Sequence, residues 1–334
     1  MEGLLKRNIY SPLFIIISLL SVNLQAGIVE VPSDGVQRLV IRGLDANVVV
    51  TSQPQAKSIR INGVDDILTP GLYIAEKKGS TLEVHLNEWS TKADWNAQLN
   101  LKKNHPSLEI SGFPVATEIY LHEGQVQISR LSKEARVIVV KGKISSTDSS
   151  GPLEIFLHQG EVSVQNQTGR TKIDQYQGQT TIRNMQADLD LSAFNSNVSI
   201  EKFRGLLSLN TQNSPTKMLQ SSGTLQLENG KGAILIQQFQ GRVDGSTQEG
   251  PLNITLLADS ETHLRSQSGR IQIQLPAASG AALNLASNEG DILIPEGLKI
   301  SRAATEKSFR GRLRGDLQKA AVTVRSQEGS IIIK

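Results

Sequence analysis

The sequence predicts an all-β protein, a single-chain parallel β-solenoid (β-helix) of nine-residue arms with about eighteen residues per coil, preceded by a small β-rich N-terminal region. Three observations predict it. From Gly142 to Gly250 glycine fills ten of thirteen positions spaced nine apart: Gly142, Gly151, Gly160, Gly169, Gly178, Gly205, Gly223, Gly232, Gly241 and Gly250, with Ala187, Ser196 and Ser214 at the other three. The fifth residue of each repeat is apolar in eleven of thirteen cases, as at Ile155, Val164 and Ile236. Opposite charges stand eighteen apart at equivalent positions (Arg170 and Asp188, Lys172 and Asp190, Arg183 and Glu201), whereas a spacing of twenty-seven superposes like charges such as Glu161 and Asp188. So short a period denotes stacked units that share one thin core, and it suits a chain with only 4% aromatic residues.

The elements follow in chain order. Residues 1–26 read as a signal peptide: Lys6 and Arg7 precede the apolar run Leu13–Leu20, then polar residues, then Ala26-Gly27. The run from Leu13 to Leu24, broken by Ser18, Ser21 and Asn23, is too short for the roughly 20 residues of a spanning helix. Removal of Glu2, Lys6 and Arg7 takes the formal charge from +3 to +2, which points to no polyanionic partner by itself. Residues 27–114 form a β-rich region of short strands punctuated by Gly43, Pro54, Gly63 and Pro70, with an insert carrying Trp89 and Trp95 that is expected to plug the open end of the solenoid.

Residues 115–298 form the solenoid. Within each repeat the third and fifth residues alternate inward as in a strand, the eighth (Tyr176, Met185, Phe194, Phe203, Phe239) adds bulk at a bend, and the first is a glycine whose φ > 0 closes a corner. After Asp259 the register loosens and the repeats widen, with Gly269 and Gly290 opening two Gly-x-Ile-x-Ile phrases. Residues 299–334 combine a basic segment with a last strand pair, Ala321–Val324 and Ile331–Ile333, expected to cap the stack.

The phrases Gln267-Ser268-Gly269-Arg270-Ile271-Gln272-Ile273, Asn288-Glu289-Gly290-Asp291-Ile292-Leu293-Ile294 and Gln327-Glu328-Gly329-Ser330-Ile331-Ile332-Ile333 resemble the bacterial putative-adhesin domains of unknown function, including the head GIN domains. The resemblance covers about residues 115–334. It implies an exported β-solenoid at the bacterial envelope and brings no catalytic residues with it.

Chemistry is sparse. The absence of cysteine excludes disulfides and a lipid-modified cysteine. Calcium-binding nonapeptide rolls need recurrent turn aspartates, but these turns carry Gln, Asn, Ser and Thr. The five histidines are scattered, and His122-Glu123 lacks the second histidine of a helical zinc site. The carboxylates Asp174, Asp188, Asp190, Glu201 and Asp244, the candidates for a polysaccharide-acting enzyme, do not stack on one another at an eighteen-residue coil. Arg310, Arg312 and Arg314 are the candidate contact for an anion or partner, and Arg314-Gly315-Asp316 is read as a chance tripeptide.

The expectation is an exported, non-enzymatic protein of the periplasm, cell surface or secreted fraction. It would need no cofactor and no metal, have no transmembrane segment after signal cleavage, and bind an envelope glycan or surface protein but no specific nucleic acid. Self-association through the solenoid ends is the structural alternative, and a polysaccharide-acting enzyme the catalytic one.

Overall fold

Apolar and polar residues alternate along most of the chain, so each segment has one face to bury and one to wet. The computed structural model turns these segments into strands. It describes residues 28–63, 73–86, 107–257, 260–276, 280–295, 301–302, 306–313 and 318–334, and among these residues there are 24 strands and no helix. The signal-peptide residues, Trp89, Trp95 and Arg314 lie outside the described residues.

The N-terminal strands are β1 (Ile28–Pro32), β2 (Arg38–Ser52), β3 (Ser58–Gly63), β4 (Tyr73–Lys78), β5 (Thr81–Leu86) and β6 (Ser107–Gly112). The glycine repeat begins with β7 (Ala116–Ser129), β8 (Ala135–Thr147), β9 (Leu153–Gln165) and β10 (Thr171–Arg183). β2 pairs in parallel with β7 along nearly its whole length, with Ile41 opposite Ile119 and Val48 opposite Val126. The boundary expected at 114/115 therefore falls within one hydrogen-bonded ladder, because the N-terminal strands share the alternation of the repeat. Beyond β2 lie β5 and β6, and the edge is finished by antiparallel strands, β4 on β5 and β3 then β1 on β6. An antiparallel finish removes a long parallel edge that would otherwise template association.

From β7 onward each layer pairs with the next at an offset of eighteen residues, as in Ile155 with Ile173 and Val162 with Thr180. The offset continues through β11 (Leu189–Phe194), β12 (Ser196–Glu201), β13 (Arg204–Gln212), β14 (Thr216–Asn229) and β15 (Ile234–Thr247). A layer has two arms: in one, Leu153, Ile155 and Leu157 are buried, and in the other Val162 and Val164, all within a single apolar cluster. Ion pairs bridge layers on the wet faces, including Arg136 with Glu154 (3.2 Å) and Lys143 with Glu161 (2.7 Å).

The repeat glycines have two reasons to be glycine, where the sequence suggested one. Gly160 has φ +138°, and a Cβ there would lie 1.7 Å from the Gly142 carbonyl oxygen one layer away. Gly169 needs no positive φ, yet its Cβ would lie 2.1 Å from the Gly151 oxygen. The first kind (Gly142, Gly160, Gly178, Gly205, Gly223, Gly241) sits where the strand bends, and the second (Gly151, Gly169, Gly232, Gly250) in tight turns between strands. Buried side chains complete these turns: the Ser149 hydroxyl accepts from the Leu131 amide (3.1 Å), and the Gln167 amide donates to the Gly151 carbonyl (2.8 Å).

The last strands are β16 (Leu252–Leu256), β17 (Glu261–Ser266), β18 (Ile271–Gln274), β19 (Gly280–Ser287), β20 (Ile292–Leu293), β21 (Ser301–Arg302), β22 (Lys307–Leu313), β23 (Gln318–Ser326) and β24 (Ile331–Ile333). Here the expectation of a C-terminal cap is corrected. β23 inserts between β17 and β19, and β24 between β18 and β20, so the last layer in sequence is not the last in space. Its inward residues Val322, Val324, Ile331 and Ile333 are buried, and the interior of the stack is where so apolar a layer is covered on both sides. Antiparallel β22, paired to β19, finishes the end instead.

Two outcomes follow for stability. Gly160→Ala is expected to lose more than the roughly 1–3 kcal/mol of backbone strain alone, since overlap with a carbonyl adds to it, whereas Gly79→Ala meets no atom within 4 Å; denaturant midpoints compare the two. At the N-terminal end, hydrogen bonds from Lys78 and His85 hold the Glu83 carboxyl below the usual glutamate range. A lowered carboxyl pKa stabilises the fold at higher pH and is lost as pH falls through the folded-state value. The protection of the β4–β5 amides, measured as exchange relative to the intrinsic rate at each pH, should therefore fall on acidification through that range, and Glu83→Gln should flatten the response.

Candidate functional site

One arm of every layer contributes a strand to a single continuous face: β10, β11, β13, β14, β15, β17, β23, β19 and finally β22. Strand alternation turns every second side chain outward, and the constant register sets them in rows. One row reads Asp190, Ser208, Gln226, Asp244, His263, Thr323, Asn284, Arg310 across eight neighbouring strands. The row beside it reads Ser192, Asn210, Glu228, Ser246, Arg265, Arg325, Ala286, Ser308. At about 4.8 Å per strand each row runs about 34 Å.

These rows line two adjoining open grooves. The larger, about 800 Å³, is bordered by Asp190, Glu228 and Asp244 towards one side and by His263, Arg265 and Arg325 towards the other. The smaller, about 520 Å³, takes Arg265 and Arg325 as its own wall and adds Asn284, Glu306, Ser308 and Arg310. Gly245, between the outward Asp244 and Ser246, borders the groove through its backbone, and a Cβ there would stand 2.8 Å from the Cβ of buried Leu227 on the inward side.

The electrostatics differ along the groove. Arg242 donates through Nε to Asp244 Oδ2 at 2.5 Å and lies 3.8 Å from Glu261, which in turn accepts from His263 Nε2 at 2.9 Å. The His263 hydrogen bond, and then the charge of Arg242, holds the Glu261 carboxyl below the usual range. Arg265 and Arg325 stand directly opposite each other on β17 and β23, both exposed, and neither makes a hydrogen bond or ion pair among the described residues.

The carboxylates considered for catalysis are not brought together. Asp174 stands opposite Phe156 and Ser192, Asp190 opposite Lys172 and Ser208, Glu201 opposite Arg183 and Leu219, and Asp244 opposite Gln226 and His263. Asp188 accepts from the Leu206 amide at 3.2 Å. Among the described residues no group of three or more His, Asp or Glu side chains is placed to hold a metal ion, and no helix is long and apolar enough to cross a membrane.

Of the arginines singled out in the basic segment, Arg310 reaches the groove wall. Arg312 is exposed further along β22, opposite Ala282. Sequence reasoning missed Arg265 and Arg325, because they become neighbours only through the insertion of β23. It also grouped the eighth-position residues together, while the structure buries Met185, Phe203 and Phe239 and exposes Tyr176 and Phe194. The exposed pair extends from His158 as a stacked column with ring separations of 4.9 and 5.8 Å. The rings cover one another's faces, so the column stiffens its corner more than it offers a stacking platform.

The model of the Toastrack DUF4097 family matches residues 11–334. No curated protein matches the chain. Among solved structures, a putative cell adhesion protein from Clostridium sporogenes is 11% identical over 92% of this chain and 97% of that one, with a TM-score of 0.20. A putative adhesin from Bacteroides fragilis is 12% identical over the same shares, 92% and 97%, with a TM-score of 0.25. With the family model spanning nearly all of its length, the chain belongs to the Toastrack DUF4097 family, the putative-adhesin domains of unknown function that its glycine phrases resemble.

Proposed function

We propose that the protein is an exported, non-enzymatic β-solenoid of the cell envelope that binds a repetitive glycan along the groove of one face. The observation that carries this reading is the pair of polar rows crossing eight strands at constant spacing. Ser208, Asn210, Gln226 and Asn284 offer hydroxyl and amide groups that both donate and accept, as recognition of sugar hydroxyls requires. A regular array meets a linear polymer of regular hydroxyls at many points, so weak single contacts add up. The carboxylates of the same face are spent on neighbouring cations or separated from one another, an arrangement that favours binding over general acid–base chemistry. Export is supported by the charged, apolar and small-residue order of residues 1–26.

Glycan-array binding by residues 27–334 tests the reading. Binding should appear, and replacing Ser208, Asn210 and Gln226 together by alanine should weaken it at least tenfold at unchanged thermal stability. A folded protein that binds no glycan above the level of this triple variant overturns the reading. Cell fractionation gives the second check: the chain should be recovered outside the cytoplasm, shortened by residues 1–26.

A further inference from the structure

Two guanidinium groups side by side repel each other, and on adjacent strands an opposed like-charged pair is unfavourable unless something lies between. Many cations on these faces are matched across or along the strands, among them Arg136 with Glu154, Lys172 with Asp174, Arg183 with Glu201 and Arg242 with Asp244. Arg265 and Arg325 are not. They face each other across the β17–β23 ladder without a partner among the described residues. The nearest carboxylate on β15, Asp244, is already held by Arg242. Both side chains border the 800 Å³ and the 520 Å³ grooves, so they stand where the two join. Arg310 on β22 adds a third cation to the wall of the smaller groove, with Glu306 on the same rim.

We infer that the junction of the two grooves is an oxyanion subsite for an acidic glycan, in which Arg265 and Arg325 grip a carboxylate or sulfate of the polymer between them while Arg310 flanks it. This rests on the glycan-binding reading and specifies its substrate class. A guanidinium presents a planar fork of donors that fits an oxyanion in bidentate fashion, and two forks on neighbouring strands surround one such group. The anionic end of the groove, with Asp190, Glu228 and Asp244, favours a polymer whose charges are sparse and whose other groups are hydroxyls. A nucleic acid, with a charge on every residue, would be repelled there, and among the described residues the groove has no exposed aromatic ring on which bases could stack.

The test uses the chain without its signal segment and four immobilised probes: hyaluronan, whose carboxylates stand on alternate sugars, its carboxyl-reduced neutral form, a galactan sulfated on alternate sugars and single-stranded DNA. Hyaluronan or the sulfated galactan should bind at least tenfold more tightly than the neutral form, and the two arms tell carboxylate from sulfate. The double variant Arg265→Gln, Arg325→Gln should lose this preference and keep the neutral binding. It should also unfold at a higher denaturant concentration than the parent, because an opposed pair of like charges is removed. Arg170→Gln, on the regular part of the stack, should change nothing. In the unaltered chain the Arg265 and Arg325 Nε resonances should shift on titration with a hyaluronan tetrasaccharide, a readout that requires no variant. Equal binding of acidic and neutral forms, or unshifted resonances, overturns the oxyanion subsite while leaving the glycan reading standing. Binding of neither form overturns the glycan reading itself. Tighter binding of DNA than of either acidic glycan overturns the inference in favour of a nucleic-acid partner.

Discussion

The structure depends on how closely the backbone of one layer lies on the next at the corners. Over most of its length a parallel ladder tolerates any outward side chain, because strands about 4.8 Å apart leave room for a Cβ. At the corners the chain bends and the carbonyl of one layer enters the space that a Cβ of its neighbour would fill, as at Gly142 beneath Gly160. Glycine is favoured there by contact with the backbone of the equivalent residue one layer away, so the period in the sequence is a steric record of the stacking. The same closeness explains the buried hydroxyls and amides of the turns. Amides that no strand can satisfy are met by Ser149, Ser214 and Ser221, each accepting from the residue eighteen positions earlier.

The stack has a seam in its middle. In β8, β9 and β10 the strand runs unbroken through one corner and turns tightly at the other, while in β14 and β15 the roles are reversed. Between them, at β11 to β13, both corners are tight, and Asn195, Lys202 and Asn213 take positive φ. Positive φ at Asn is tolerated by its short polar side chain, and the Asn213 amide donates to Asn195 Oδ1 across the layer. The nine-residue phase is kept through the exchange, but its three non-glycine positions, Ala187, Ser196 and Ser214, all fall here, and they are the mark the seam leaves in the sequence. The groove begins here, as the face formed by β11 and β13 passes into the second half of the stack.

Much of the fold was legible in the sequence because its determinants are local and repeated. Lys172 and Asp190, eighteen apart, announced the offset, and the register places them opposite each other. What escaped was non-local. Val322 and Val324 read as one more layer, and nothing in the linear order says that Val322 enters between Thr262 and Leu283 and Val324 between Leu264 and Leu285. The site suffers most from this, since Arg265 and Arg325 lie 60 residues apart (325 − 265) in segments of unlike spacing. Arg310 was visible for a different reason: it lies in a basic run, and charge composition survives without knowledge of register. The distinction between buried Phe203 and exposed Phe194 was also hidden, because it depends on which corner each occupies.

The insertion of β23 ties the order of assembly to the order of synthesis. The layers from β7 to β15 can add one upon another as the chain emerges, each closing a loop of eighteen residues. The layer holding β19 cannot settle in its place until the residues that come after it have arrived, since β23 must lie between it and β17. Long-range closure of this kind is slow compared with the stepwise part. Without β23 nothing would set Arg325 beside Arg265, so the two guanidinium groups become neighbours only when this late-arriving strand has entered between two earlier ones.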